Sequence, residues 1–212
     1  MDILTDREAE QGMGQQMKAA DRHKPTVNMD LIRSVYRMRD IDRFSGMPLI
    51  RKNNLVEHCY NVGNLFVEIA RAEELFITKE EILFVFRHDI FEVSTGDILR
   101  PAKERTTEIL EHWKTIEQLL VQQHEFQWLE GYTDTWAEEH MSKRALKLFL
   151  DCDLLDIVFT LSSEVLKGNR YVLGETEEFS KILNVRKLIH RLWESSFETI
   201  RHMLVQISAD LS

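Results

Sequence analysis

His88 and Asp89 stand side by side at the end of a very apolar helical run, Ile82-Leu83-Phe84-Val85-Phe86. A neutral imidazole and a carboxylate placed there can both be directed at one divalent metal ion. Glu92 follows four residues after His88 and three after Asp89. On a helix that continues so far it shares their face, one turn on, where a group that orients a metal-bound water belongs. A His-Asp dipeptide is a short motif that arises often by chance, so the weight falls on other ligands standing where the same geometry needs them. His58, on a preceding helix, and one of Asp151, Asp153 or Asp156, on a later one, meet that need. Two imidazoles and two carboxylates suit Mn, Fe, Co, Ni or Zn and leave coordination positions for water and substrate oxygens. Spacing alone does not choose among the three aspartates.

The elements that must position these residues read as helices. Residues 1–26 are polar and without a sustained apolar period, which predicts a loose arm ahead of one folded domain over 27–212. A first helix from Asp30 carries Leu31, Ile32, Val35 and Met38 and ends near Asp40. The breakers Ser45, Gly46 and Pro48 put Arg43 and Phe44 on a loop or helix end. A second helix, from about Asn54 to Arg71, has a stripe of Leu55, Cys59, Val62, Phe66 and Ile69, with His58 beside it. The third opens on the capping-box pattern Thr78-Lys79-Glu80-Glu81 and is apolar on every side through Phe86, which predicts the central, buried helix. Pro101 suits the first position of a fourth, running to Leu120, and Gly131 breaks the pattern. A fifth runs from about Thr135 to Lys167, closed by Gly168-Asn169, and a last one from about Glu177 to Ile207. No run alternates with period two. The expectation is an all-α globule of about six helices with the metal site between the central ones.

Composition narrows the function classes. Of 212 residues, 43% are hydrophobic and 30% charged, an ordinary balance for one sizeable core. The net charge of -9 argues against broad binding of a DNA or RNA polymer or an anionic membrane, which wants a basic surface. A small phosphorylated substrate remains compatible, because a local cation or a metal can hold a phosphate. Cys59 and Cys152 make no disulfide framework and lie in apolar helical patterns, as buried free thiols do. The acidic N-terminus does not read as a signal peptide and no apolar run reads as a membrane span, so the cytoplasm is the expected compartment.

The sequence resembles the HD-domain metal-dependent phosphohydrolases, and within them the bacterial 5'-deoxynucleotidase (YfbR-like) branch. The carriers are Glu57-His58, then His88-Asp89, then Asp153 followed at the right distance by Gly168-Asn169. Residues 88–97 fit the branch signature HDxxEVxTGD, Pro101-x-Lys103 also fits, and Ile41-Asp42-Arg43-Phe44 is similar to the family's Arg-aromatic pair. The match spans about residues 30–170.

The resemblance implies that His58, His88, Asp89 and Asp153 hold one divalent transition metal (Mn, Co, Fe, Ni or Zn). It implies Glu92 and Asp97 as the catalytic carboxylates, Glu92 positioning or deprotonating the attacking water. Arg43 would contact phosphate, Lys103 would add a second contact, and Asp97 and Phe44 would read a 2'-deoxyribose. Phe44 stands where the family usually has Trp, and Arg100 where it often has a small or apolar residue. An extra cation at 100 suits a longer phosphate chain. The implied activity is conversion of a deoxynucleoside monophosphate to deoxynucleoside and phosphate. The alternative is a triphosphohydrolase of the dATP type, like phage relatives that work on the nucleotide pool, with further Mg or Mn on the polyphosphate and the host cytoplasm as its place. A nucleotide-sensing HD module is the reading without catalysis. Leu188, Trp193 and Phe197, apolar on more than one side of one long last helix, predict a homo-oligomer.

Overall fold

The computed structural model describes residues 27–44, 47–96, 106–173 and 184–211, the side chains of residue 110 and residues 124–127 excepted. The chain divides into two units, Met1–Ile32 and Arg33–Ser212. The expected arm over 1–26 lies outside the described residues. In the first unit, Asn28 Oδ1 accepts from the backbone N–H groups of Asp30 and Leu31 at 3.0 and 3.1 Å and opens helix α1 (Met29–Arg37).

In the second unit the expected helices form, with five corrections; the expected helix starts at Pro101 and Glu177 lie outside the described residues. A two-residue antiparallel pair, β1 (Asp42–Arg43) and β2 (Asn53–Asn54), joins Asp42 to Asn54 and Arg43 to Asn53. Strands so short have no alternation to read. Helix α2 (Leu55–Ala72) starts at Asn54, whose Oδ1 accepts from Glu57 N at 3.0 Å, and buries Leu55, His58, Cys59, Val62, Phe66 and Ile69. Helix α3 (Lys79–Val85) has the expected capping box on Thr78 and Glu81, but it is not the central helix. It lasts seven residues and leaves Leu83 37% exposed. The chain then turns through a 3-10 segment, His88–Phe91, into the short α4 (Glu92–Thr95), so His88, Asp89 and Glu92 do not share one α-helix.

Helix α5 (Thr107–Gln122) leads through a 3-10 stretch, His124–Tyr132, to α6 (Asp134–His140) and α7 (Lys143–Leu166). The fifth helix was expected as one rod. It breaks because Met141 is extended and Ser142 caps α7: its Oγ accepts from Ala145 N at 3.1 Å, and its own N–H donates to Glu81 at 3.1 Å. Helix α7 is the true centre. It packs against α2, α6 and both following helices, α8 (Val185–Trp193) and α9 (Glu198–Asp210). Those two were expected as one. Ser195 separates them, donating to Asp151 Oδ2 at 2.7 Å while its Oγ accepts from Phe197 N at 3.2 Å. The break buries Phe197 in the core and leaves Trp193 41% exposed, so the single-helix premise of the oligomer argument does not hold. Among the described residues no helix is long and apolar enough to cross a membrane.

Two details set the position of the loops around α2. Glu164, 1% exposed near the end of α7, accepts from the backbone N–H groups of Ile50 at 2.6 Å and Arg51 at 3.1 Å and from Asn169 Nδ2 at 2.9 Å. Asn169 also donates to Pro48 O at 2.9 Å, reached through Gly168 at φ +92°. The segment between β1 and β2 is thereby pinned to the end of α7. Gly63, on α2, lets the Phe86 ring lie directly against the helix: a Cβ there would meet ring carbons at 2.6 Å. Phe86 is two residues from His88, so this close approach sets how near the His88–Asp89 turn comes to α2. Gly63→Ala is expected to cost about 1–3 kcal/mol by overpacking, whereas Gly131→Ala, with nothing within 4 Å of its Cβ, is expected to be near neutral. Urea unfolding of the two variants checks this, and equal midpoints would refute it.

Candidate metal centre

Four side chains from three elements converge. His58, on the first turns of α2, is fully buried; its Nε2 lies 3.2 Å from Asp153 Oδ1 on α7, 3.2 Å from His88 Nε2 and 3.4 Å from Asp89 Oδ2. His88 Nε2 is 3.5 Å from Asp89 Oδ1 and 4.0 Å from Asp153 Oδ1. Ligand atoms of His58, His88 and Asp153 all lie within 4.8 Å of one another, close enough for one ion. The outer nitrogens are also engaged. His88 Nδ1 donates to the Val85 carbonyl at 2.8 Å, and His58 Nδ1 faces Asp156 Oδ2 at 2.7 Å. The two imidazoles therefore turn their Nε2 atoms toward each other and toward two carboxylates, a donor set that fits a divalent transition metal.

The three aspartates of α7 have separate surroundings. Asp151 binds Lys147 at 2.6 Å and Ser195 at 2.7 Å, away from the histidines. Asp153 stands at His58 Nε2 and Asp156 at His58 Nδ1. Asp156 was one of three equal candidates in the sequence; its one signal was its place three residues from Asp153 on the same helical face. The Val85 carbonyl had no side-chain signal at all.

Exposure is graded across the group. The side chains of His58, His88, Asp153 and Asp89 are 0%, 7%, 13% and 20% exposed, so the centre opens toward solvent on the Asp89 side. Arg43 comes to that side, with Nη1 3.7 Å from Asp89 Oδ2. Its guanidinium lies 5.3 Å over the Phe44 ring. Phe44 itself takes a left-handed backbone, φ 57°, and its ring is buried in the core. Such a conformation is strained for a bulky residue; here it sends the ring inward beneath Arg43. Glu92, the first residue of α4, is buried, and close enough for its charge to act on the Cys59 thiol. Asp97, Arg100 and Lys103 lie outside the described residues.

The charges couple. Burial and the Arg43 charge push His58 down, but hydrogen bonds to Asp153 and Asp156 and the charge of Asp89 outweigh them and leave it above its ordinary value. Burial holds His88 below its own. Burial alone would raise Asp89 and Asp153, yet the histidines and Arg43 hold both below the usual carboxylate range. Cys59 also lies within ligand distance of His88 and Asp89. Burial and the neighbouring carboxylates push its thiol well up, so it stays protonated and a poor ligand.

The family model described as 5'-deoxynucleotidase YfbR-like matches residues 30–194. Among solved structures, a cyanophage S-2L HD phosphohydrolase, DatZ, bound to dA and one catalytic Zn²⁺ ion, is similar at 20% identity and a TM-score of 0.57, over 89% of this chain and 98% of that one. An HD-domain phosphohydrolase from Listeria innocua is similar at 16% identity and a TM-score of 0.54, over 86% of this chain and 97% of that one. A protein from Pyrococcus horikoshii reaches a TM-score of 0.62 at 14% identity, over 86% of this chain and 99% of that one. These likenesses establish the helical fold. No curated protein matches the chain.

The raised His58 has a pH consequence. Its imidazolium stabilises the metal-free fold fully below the ordinary histidine value of about 6.5, and that contribution is lost as pH rises through the higher folded value. The depressed carboxylates act oppositely: they stabilise above the ordinary carboxylate range and cease to as pH falls through their folded values. A metal needs the neutral ring. Metal uptake is therefore expected to release more protons near about pH 6.5 than near about pH 9, read by calorimetry in buffers of different ionisation heat. Uptake without proton release at either pH would show His58 already neutral.

Proposed function

The chain belongs to the 5'-deoxynucleotidase YfbR-like family, and from that premise we propose that it hydrolyses the 5'-phosphate of 2'-deoxynucleoside monophosphates. The family is one of phosphohydrolases, so the chain is a hydrolase with a deoxynucleotide-type substrate; the monophosphate, the metal and the residue roles are the proposal. The observation that carries it is the convergence of His58, His88, Asp89 and Asp153 with Arg43 at the open side.

His58, His88, Asp89 and Asp153 would hold one divalent metal. A metal held there would supply Lewis acidity, favouring ionisation of a water and neutralising charge on a phosphoryl oxygen. The chain's own residues do the rest. Arg43 offers its planar fork to the phosphate, and the Phe44 ring beneath limits how far the guanidinium can move. Glu92 accepts the proton of the attacking water as the new P–O bond forms. The bond from phosphorus to O5' breaks, and O5' leaves as the deoxynucleoside hydroxyl with the proton that Glu92 took from the water, passed on directly or through solvent. The electrostatics support this division of labour: Asp89 and Asp153 stay ionised for ligation, and the buried Cys59 thiol stays out of it. A sensing module has no need of a buried glutamate three residues after His88-Asp89.

The dA bound by the cyanophage relative makes dAMP the first substrate to try. Purified protein with Mn²⁺ or Co²⁺ is expected to release orthophosphate from dAMP and little from AMP. Glu92→Ala is expected to lower kcat by on the order of 10²–10⁴-fold while still binding metal. Triphosphate released from dATP, with monophosphates untouched, would move the assignment to a triphosphohydrolase. Bound metal with no turnover of dAMP, dATP or dGTP would favour the sensing module.

A further inference from the structure

We propose that Asp156 is a positioning residue of the metal centre: its carboxylate holds His58 in the Nδ1–H form and so presents the Nε2 lone pair to the side where Asp153, His88 and Asp89 gather. His58 is fully buried, so water cannot choose its tautomer; the two ring nitrogens see only what the fold puts there. At Nδ1 that is Asp156 Oδ2, 2.7 Å away and itself 4% exposed. At Nε2 it is Asp153 Oδ1 at 3.2 Å, with His88 Nε2 at 3.2 Å. One helix thus supplies a carboxylate to each nitrogen from positions three apart. Only one of the two can accept the single N–H of a neutral ring. The shorter contact is to Asp156, so that carboxylate takes the proton's side and leaves the other nitrogen free to ligate.

The second histidine shows what Asp156 adds. His88 Nδ1 donates to a neutral backbone carbonyl, that of Val85, at 2.8 Å. A carboxylate is the stronger acceptor and leaves the ring it holds a more basic donor at its far nitrogen. His58 is therefore the stronger of the two imidazole ligands. This inference rests on the metal reading above.

The surroundings of Asp156 also provide a direct test. It lines a pocket of about 180 Å³ together with Asn53, Asn61, Thr160, Ser163 and Lys167. A formate ion is smaller than that volume, so the pocket has room for it beside the place a truncated Asp156 would vacate.

Three measurements decide the matter. In metal-free, ¹⁵N-labelled protein held in alkaline buffer, His58 is expected to carry its proton on Nδ1, seen by long-range proton–nitrogen correlation. In Asp156→Ala this preference is expected to be lost and Mn²⁺ affinity to fall by about 10–100-fold, with formate restoring most of it. Asp156→Asn keeps the volume and an acceptor oxygen, so it is expected to keep the tautomer and lose affinity by a smaller factor; it carries the test if the alanine variant fails to fold. A His58 protonated on Nε2 in the unmodified chain, unchanged Mn²⁺ affinity in both variants, or a loss that formate leaves untouched would each overturn the proposal. An unmodified chain that binds no Mn²⁺ overturns the functional reading and this inference with it; the tautomer measurement, made without metal, separates the two failures.

Discussion

One imidazole with no access to water, set between two carboxylates of another helix, is the constraint on which this structure turns. A buried ring costs stability unless both nitrogens find partners. Those of His58 are Asp153 and Asp156, both on α7 and ninety-odd residues away in sequence. The carboxylates depend on the ring in turn, because a buried negative charge with no counterpart is costlier still. Helices α2 and α7 therefore cannot slide past each other without stranding several polar groups at once. The apolar packing between them, with Val62, Phe66, Leu148 and Leu155 fully buried, acts in the same direction.

Helix α7 can serve as that reference because it is long and regular. Its neighbours α6, α8 and α9 are shorter. The chain breaks at Met141–Ser142 and at Glu194–Phe197, and each break is stabilised by a side chain that ties it to another helix: Glu81 of α3 at the first, Asp151 of α7 at the second. The breaks let the short helices α6, α8 and α9 pack against one long helix. The turn after α3 has the same effect on the site. By leaving the α-helical path at Phe86, the chain brings His88 and Asp89 to His58, and the T-shaped contact of the His88 ring with Phe149, 5.0 Å between centroids, seats the ring against α7.

The open side is organised by a different device. Glu164 and Asn169 hold the segment at 48–51 through its backbone, leaving the Arg43–Phe44 pair anchored at both ends, by β-pairing to Asn53 on one side and by the buried Phe44 ring on the other. The backbone pairing, and not only charge attraction, keeps this cation beside Asp89. The gradient of exposure from His58 to Asp89 follows the same arrangement: the side chains are most buried at the contact of α2 with α7 and most exposed beside Arg43.

The sequence by itself named the candidate groups. His58, His88-Asp89 and Glu92 stood out as candidates because ligation and proton transfer need particular side chains, and α2 and its apolar stripe were legible because a helix that buries one face repeats every 3.6 residues. Helix ends with side-chain signals, such as the capping box at Thr78 and the glycine after α7, could be read for the same local reason. Tertiary structure alone decided the rest. It separated Asp151, Asp153 and Asp156, which have identical side chains within six positions, by what stands opposite each. It made α7 the central helix in place of the more apolar α3, because burial depends on how many elements gather round a helix. It broke two expected rods where Ser142 and Ser195 found distant partners, and it buried Phe44 beneath Arg43. Each of these outcomes depends on a contact between residues far apart in the chain, and no local pattern encodes which distant group will be there to make it.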